Sequence, residues 1–298
     1  MSLQRITFII NPVAGGRDKS GFEKRLQEIF RPAGFEMRYF YTRYPSHAYQ
    51  YARREVDAGT KIVVAVGGDG TINEVARALI HTATALGVIP YGSGNGFARH
   101  FGLPVKIHKA LEILKKGHIR EVDVGYLNSK PFFCTSGVGF DAETGYYFSH
   151  YHKRGFLSYA LSFLRVYRNY RSKHYDIEVN GQRRTYDAFF INIANISQFG
   201  FHFYIAPGAS AEDGYFDLVV VKKFPKWKGI FLAARSFTGT IHKSKYVVVE
   251  KAREIKLLKP LEKKVIHIDG DPGFSEGILH YRLESGALRV ILPERPDK

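Results

Sequence analysis

A single cysteine, Cys134, stands in 298 residues. It excludes an internal disulfide and fits a reducing compartment. No apolar run reaches the roughly 18 residues that a membrane-spanning helix needs, and the N-terminus, MSLQRITFIINP, lacks the layout of a signal peptide. A cytoplasmic protein is expected, with peripheral membrane contact allowed. The 12 histidines show no HxxxH spacing, so zinc is not expected. A P-loop would need Gly before Lys19-Ser20, where Asp18 stands. The glycines of Gly92-Ser93-Gly94-Asn95-Gly96 do not have the GxGxxG spacing of a dinucleotide fingerprint. Ser136, in TSGVG, lacks the GxSxG frame of a nucleophile elbow and reads as a tight turn. No internal repeat or low-complexity segment is found. Acids are scarce: 28 Asp and Glu against 44 Lys and Arg, a net charge of +16. That balance favours anionic partners, whether nucleic acid, an anionic membrane surface or phosphorylated substrates.

What the chain does have centres on Lys61–Ala78, KIVVAVGGDGTINEVARA. Ile62 to Val66 is a short β-branched run, which reads as a buried parallel strand. It stops at Gly67-Gly68-Asp69-Gly70. Thr71 with Glu74 three residues on suggests a capping box, and Ile72, Val75, Ala76 and Leu79 carry helical spacing. Strand, glycine turn and helix N-terminus together make a phosphate site: backbone comes close, the first N–H groups point outward, and the helix dipole favours an anion. Asp69 within that turn would be repelled by phosphate unless it holds a cation or takes a proton. The plainer reading is a surface Asp in an ordinary turn.

Around this stretch strands and helices alternate. Strands are predicted over Arg5–Asn11, Glu36–Tyr41, Gly87–Tyr91 and Ile119–Tyr126, and helices over about Lys19–Phe30, from Ser46 to Gly59, and over Ile107–Lys116. The pattern argues for a doubly wound parallel sheet, in which ligands bind at the C-terminal strand edge. Asn11, Thr42, Gly67 to Asn73 and Gly92 to Asn95 would gather on that edge. After about Asn128 strand follows strand: 131–140, 173–179, 185–194, 215–221, 245–249, 254–258 and 264–269, with Asn180-Gly181 as a hairpin turn. Two domains are expected, 1–128 α/β and 129–298 β-rich and sandwich-like, with a last strand near 287–292 that could join either. One helix interrupts the second domain, Lys153–Arg171. Phe156, Leu157, Ala160, Leu161, Leu164 and Tyr167 form its apolar face, and Arg165, Arg168 and Arg171 a basic one. Such a helix can lie on an anionic membrane or pack on the sheet with a solvated basic side.

GGDGTINEV at Gly67–Val75, NPVAGG at Asn11–Gly16, GSGNGFAR at Gly92–Arg99 and IDGDP at Ile268–Pro272 together resemble the diacylglycerol kinase catalytic-domain family, which includes bacterial lipid kinases and sphingosine kinases. The match runs from Asn11 to Pro272. The resemblance implies ATP-dependent, Mg²⁺-dependent phosphorylation of a lipid hydroxyl, with a nucleotide-binding α/β domain, a β-rich domain and an active site in a cleft between them. Carried over by position, ATP would contact Asn11, Thr42, Gly67, Gly68, Asp69, Gly70, Thr71, Ile72, Asn73, Glu74 and Ser93. Asp271 falls where the family has its general base, usually Glu, and Asp69 is the second catalytic acid. Ser210, Asp213 and Tyr215 match a structural magnesium site, and Asp123 an acid linked through water to the catalytic magnesium. The aromatic residues Phe132, Phe133, Phe140, Phe199 and Phe201 would hold acyl chains or form core. Two departures stand out. Asn95-Gly96 replaces the usual Asn-Asp, and Asp271 is one methylene shorter than Glu. The partners expected are a lipid substrate and a transient anionic membrane surface, with a homodimer as a further option and no nucleic acid. The rival readings are an NAD or other small-molecule kinase sharing GGDGT, and a nucleotide- or nucleic-acid-binding protein without catalysis.

Overall fold

β-branched and aromatic runs separated by glycine and proline turns set the strands, and 3.6-residue apolar spacing sets the helices between them. A computed structural model of the chain describes residues 4–16, 21–149 and 156–294. Two compact units make up the chain, Met1–Val122 with Gly286–Lys298, and Asp123–Ser285.

The first unit is the predicted parallel sheet. Its elements are β1 (Gln4–Ile10), α1 (Phe22–Phe30), β2 (Phe35–Tyr41), α2 (His47–Asp57), β3 (Ile62–Gly67), α3 (Asp69–Leu79), β4 (Ala85–Pro90), α4 (Gly96–His100), α5 (Ile107–Lys116) and β5 (His118–Leu127), whose last residues belong to the second unit. The strands run parallel in the order β2-β1-β3-β4, with Ile6 beside Ile62 and Ile62 beside Ala85. α1 packs on α5 and α2 on α3. Ile6, Phe8 and Ile10 point at Phe22, Leu26 and Leu111 on one face, the period of two expected of a strand. Lys19 and Ser20, where α1 was expected to begin, lie outside the described residues.

The second unit holds β6 (Lys130–Phe132), β7 (Thr135–Gly139), α6 (Phe140–Ser149), α7 (Phe156–Asn169), β8 (Lys173–Val179), β9 (Gln182–Ala194), β10 (Phe216–Lys222), α8 (Gly229–Phe237), β11 (Val247–Ala252), β12 (Glu254–Ile268) and the long β13 (Asp271–Leu292), which ends in the first unit. Its strands pair antiparallel in the order β11-β10-β9-β7-β12-β13, and β8 bonds both β9 and β12. Along β10 the side chains alternate: Leu218 and Val220 join Phe132, Ile255 and Tyr281 on one face, and Val219 and Val221 join Phe140, Phe189 and Leu232 on the other.

Several local expectations change. The run 131–140 is not one strand. It breaks at Phe133-Cys134, and Phe140 opens a helix. The stretches 254–258 and 264–269 are one strand with register shifts between Leu257 and Leu261 and between Leu261 and Lys264. Ser136 sits in strand β7 rather than in a turn, its hydroxyl donating to His267 O at 2.7 Å. Three helices, not one, occur in this unit among the described residues. α6 and α8 escaped the sequence reading because α6 shows almost no amphipathic periodicity and α8 is apolar on more than one side. Lys153 to Gly155, the expected start of the basic helix, lie outside the described residues. In α7 Ser162, Val166 and, just past its end, Tyr170 are buried, while Leu161 and Leu164 point into solvent. Its apolar surface is therefore wider than the face that packs.

Candidate active site

Four strand ends of the first unit are tied edge to edge. The N–H of Asn11 donates to Val66 O at 2.9 Å, that of Thr42 to Ile10 O at 2.9 Å, and that of Tyr91 to Gly67 O at 2.7 Å. Asn11 Nδ2 donates to Thr71 Oγ1 at 3.2 Å, and Asn11 Oδ1 accepts from Val13 N–H at 3.1 Å. The glycine turns meet at van der Waals contact: a Cβ on Gly92 would lie 2.6 Å from Gly68 Cα, and one on Gly15 would lie 2.0 Å from Tyr91 O. These are backbone collisions, so only glycine allows the loops after β1, β3 and β4 to approach this closely. The structure thus brings together Asn11, Gly67, Gly68 and Thr71, with Thr42 at the adjoining strand end and Ser93 exposed in the second turn.

The helix start differs from the expected capping box. α3 begins at Asp69, Gly68 is its N-cap in extended conformation, and no side chain caps it. Thr71 is already inside the first turn. Glu74 instead accepts from the N–H groups of Ser46 at 2.8 Å and Ala48 at 3.0 Å, so it caps α2. Ser46 holds the N-cap position of α2 without a side-chain cap. Ile72 is buried in the core.

Asp69 is committed to a neighbour. Its carboxylate accepts from Gly96 N–H at 3.1 Å and Phe97 N–H at 3.2 Å, the first amides of α4. Burial pushes its pKa up, against the amide donors of Gly96, Phe97 and Asn95, which pull it down. Gly96, where the resemblance leads one to expect Asp, thereby avoids a second carboxylate beside Asp69. Two residues of this site had no role assigned from sequence. Asn95 is left-handed at φ 49°, donates to Gly92 O at 2.8 Å, and keeps its Oδ1 buried without a hydrogen-bond partner. Arg99 Nε donates to Gly94 O at 3.0 Å, which sets a cation beside the second turn. Residues so dispersed carry no local signal beyond the GSGNGFAR run itself. A cavity of about 570 Å³ between α1 and α5 shares no residue with the turns.

In the second unit the IDGDP motif is a two-residue hairpin. Ile268 pairs with Asp271, and Asp269 and Gly270 carry φ of 50° and 86°, the positive pair of a type I′ turn. Asp271 and Pro272 are already strand. Asp269 accepts three amides, from Phe133 at 2.9 Å, Cys134 at 2.7 Å and Thr135 at 3.1 Å, across the break between β6 and β7. Asp271 is exposed.

Asp123 is buried on β5. Its Oδ2 accepts from Gly214 N–H at 2.8 Å, and its own N–H donates to Ala211 O at 2.7 Å. It therefore holds the loop in which magnesium was expected. In that loop Asp213 Oδ1 accepts from Tyr215 N–H at 3.0 Å, and Oδ2 faces Lys251 Nζ at 2.8 Å. Lys251 also reaches buried Asp217 at 2.6 Å, its cross-strand partner. The residues do not fit an open cation site: an ammonium already supplies the positive charge. Among the described residues no group of three or more His, Cys, Asp or Glu is placed to hold a metal.

An apolar cavity of about 80 Å³ lies under α7 and α8, lined by Phe140, Phe163, Phe189, Phe199, Leu232 and Asp141 among others. Of the five aromatics singled out from sequence, Phe140 and Phe199 line it, while Phe132 and Phe133 are core. At its polar end Asp141 Oδ2 accepts from Asn192 Nδ2 at 3.1 Å and lies 3.1 Å from His267 Nε2.

Comparison with known proteins follows this division. Residues 5–127 match the diacylglycerol kinase catalytic domain, and residues 135–292 the YegS C-terminal NAD kinase beta sandwich-like domain. Diacylglycerol kinases of Bacillus subtilis strain 168 and Staphylococcus carnosus strain TM300 are each 29% identical over 279 residues. The alignments cover 91% of this chain and 91% and 89% of theirs. A diacylglycerol kinase structure from Bacillus anthracis strain Sterne superposes with a TM-score of 0.74 at 22% identity, covering 98% of both chains. A second from that organism gives 0.78 at 23%. At these identities the structures speak for the fold.

Proposed function

The chain belongs to the diacylglycerol kinase family that these two domains define, and from that premise we propose that it transfers the γ-phosphate of ATP to the hydroxyl of a diacylglycerol-like or sphingosine-like lipid, with magnesium. One observation carries the nucleotide half of this reading: two glycine turns touch at their backbones beside a helix N-terminus that no side chain caps. Phosphate suits such a place, because amides and the helix dipole supply positive potential without a bulky side chain. The buried, unpartnered Asn95 Oδ1 is an acceptor left for a hydroxyl or amino group of the nucleotide.

Phosphoryl transfer asks for positioning and charge neutralisation more than for covalent chemistry. In this reading Asn11, Thr42, Gly68, Gly70 and Ser93 border the nucleotide. Asp69 would be the residue that holds the magnesium arriving with it. Magnesium is commonly bound through one or two carboxylates plus phosphates and water, and when bound it neutralises the triphosphate. Asp271 takes the proton of the lipid hydroxyl as its oxygen bonds the γ-phosphorus and the bond to the β-phosphate breaks, releasing ADP. The aromatic cavity of the second unit takes acyl or alkyl chain, and the expected meeting with an anionic membrane supplies the lipid.

Labelled ATP given in parallel with diacylglycerol, sphingosine and NAD tests this reading. Label in a lipid product supports it. Label only in NADP, or nucleotide binding without transfer to any acceptor, replaces it with one of the rival readings.

A further inference from the structure

Two stretches of the chain carry no acid at all: 144–175, between Glu143 and Asp176, and 218–249, between Asp217 and Glu250. They contain α7 and α8, and the fold joins them. Tyr167 of α7 donates its hydroxyl to Lys226 O, Lys226 Nζ returns a bond to Arg168 O at 2.7 Å, and a Cβ on Gly229 would collide with the Tyr167 hydroxyl. Their inward residues, Phe163 and Tyr167 from α7 and Leu232 and Ala233 from α8, line the aromatic cavity. Their outward residues are also apolar. Trp227 is 68% exposed, Ile230 73% and Phe231 60%, with Leu161 and Leu164 exposed on α7. Trp227 and Phe231 meet edge to face at 6.2 Å, and Lys228 lies over the Trp227 ring at 5.0 Å. Exposed apolar side chains gathered like this mark an interaction surface rather than a solvated one.

We infer that the outer face of α7 and α8 docks on an anionic bilayer, with Trp227, Ile230 and Phe231 entering the interface and Arg165, Arg168, Lys226 and Lys228 meeting the lipid headgroups. The charge argues for this occupant. Two acid-free stretches suit a uniformly negative surface, whereas a second, equally basic copy would oppose them with like charge. Trp and Phe above a basic rim is the composition of an interfacial helix. The same two helices wall the cavity, so docking brings its wall against the lipid phase. This deepens the membrane part of the kinase reading and rests on it for its purpose, but not for its test.

Trp227 is the only tryptophan of the chain, so intrinsic fluorescence reports this face alone. Vesicles of phosphatidylglycerol and phosphatidylcholine are expected to shift its emission to the blue, with acyl-chain quenchers reaching it, and pure phosphatidylcholine vesicles to act at least tenfold more weakly. A Trp227→Ser, Ile230→Ser, Phe231→Ser variant, followed by sedimentation, should bind anionic vesicles at least tenfold more weakly, with its circular dichroism unchanged. It should keep its activity on dispersed dioctanoylglycerol. Cosedimentation of the wild type without any change in Trp227 emission would move docking to another face. Lipid-free self-association that buries Trp227 would give the patch to a second copy. Either result overturns the inference. Neither fluorescence nor sedimentation requires turnover. A chain that docks but labels no lipid refutes the kinase reading alone, and one that labels lipid but does not dock through Trp227 refutes only this one.

Discussion

Two acidic glycine turns, one in each unit, use their aspartates in the same unexpected way and differ in what is left over. In Gly67-Gly68-Asp69-Gly70 the aspartate enters a helix and clasps the first amides of α4, 27 and 28 residues away. In Asp269-Gly270 the aspartate is left-handed in a hairpin and clasps three amides from Phe133 to Thr135. Each is a clamp between distant segments. The first turn holds its carboxylate beside an uncapped helix start, where burial outweighs the pull of the amides and leaves Asp69 with a raised pKa. The second spends its aspartate fully and leaves an exposed carboxylate, Asp271, on the next residue but one. Asp269, saturated by amides, serves architecture, and the proposed chemistry falls to Asp69 and Asp271.

This contrast orders the expected effects. Asp271→Asn should lower kcat by roughly 10²–10⁴-fold, the usual contribution of a positioned general base, with little change in ATP affinity. Asp271→Glu should remain active. If Asp269→Asn collapses kcat in a well-folded protein while Asp271→Asn does not, the two roles are reversed. Asp69→Asn should lower kcat by about 10²–10³-fold, comparable to losing one preorganised electrostatic contact, while the fold persists. Its stability should also change with pH in a defined sense. Because the folded pKa of Asp69 is raised above 3.8, the folded state holds its proton longer than the unfolded one. Wild-type stability therefore falls as pH rises through the window above 3.8. The Asp69→Asn variant lacks that slope. Urea midpoints of the two proteins should converge near pH 3.8 and separate above it. A constant difference across pH would show that Asp69 bears no desolvation cost.

The clamp itself is the next effect in size. Asp269→Ala orphans three amides and puts alanine at positive φ, so it should cost roughly 3 kcal/mol, since hydrogen bonds to a charged acceptor are worth about 1.5–3 kcal/mol each and are not additive. An unchanged denaturation midpoint would mean that those amides find other partners.

Much of this was legible. The parallel sheet, the strand bounds at 173–179 and the helix 107–116 follow from periodicity, which reports the immediate surroundings of each residue. The Asn180-Gly181 hairpin was legible for the same reason, since a type I′ turn is encoded in two residues. The clamps were not, because Asp69 and Asp269 have partners fixed only by folding. A carboxylate between glycines looks the same whether it faces magnesium or a backbone amide. Glu74 shows this most plainly. Its spacing from Thr71 suggests a capping box, yet it caps the neighbouring helix, because α3 starts two residues earlier than Thr71. The exposed face of α8 was missed because the helix itself was not read: GIFLAARSF is apolar on more than one side and shows no single packing face in the sequence.

The smallest effect concerns Lys251. The sequence resemblance places a structural magnesium at Ser210, Asp213 and Tyr215, but Lys251 Nζ sits between Asp213 and Asp217 at 2.8 and 2.6 Å. Burial opposes the lysine's charge, the hydrogen bonds to Asp213 and Asp217 outweigh it, and its pKa rises. Burial likewise raises that of Asp217, against the pull of Lys251. The ammonium thus offsets part of the negative charge of the two carboxylates from within. Removing the ammonium leaves a buried carboxylate without its partner, which costs several kcal/mol deep in a protein. Lys251 is 40% exposed, so solvent screens part of this and Lys251→Met should cost about 1–2 kcal/mol. Adding Asp217→Asn should restore most of that. The two cations also compete for the same oxygens. Wild-type melting temperature should therefore be indifferent to EDTA, while Lys251→Met should gain stability on adding millimolar magnesium. A wild-type protein that loses stability in EDTA, with Lys251→Met no more magnesium-dependent than it, would return the loop to the metal and leave Lys251 as a bystander.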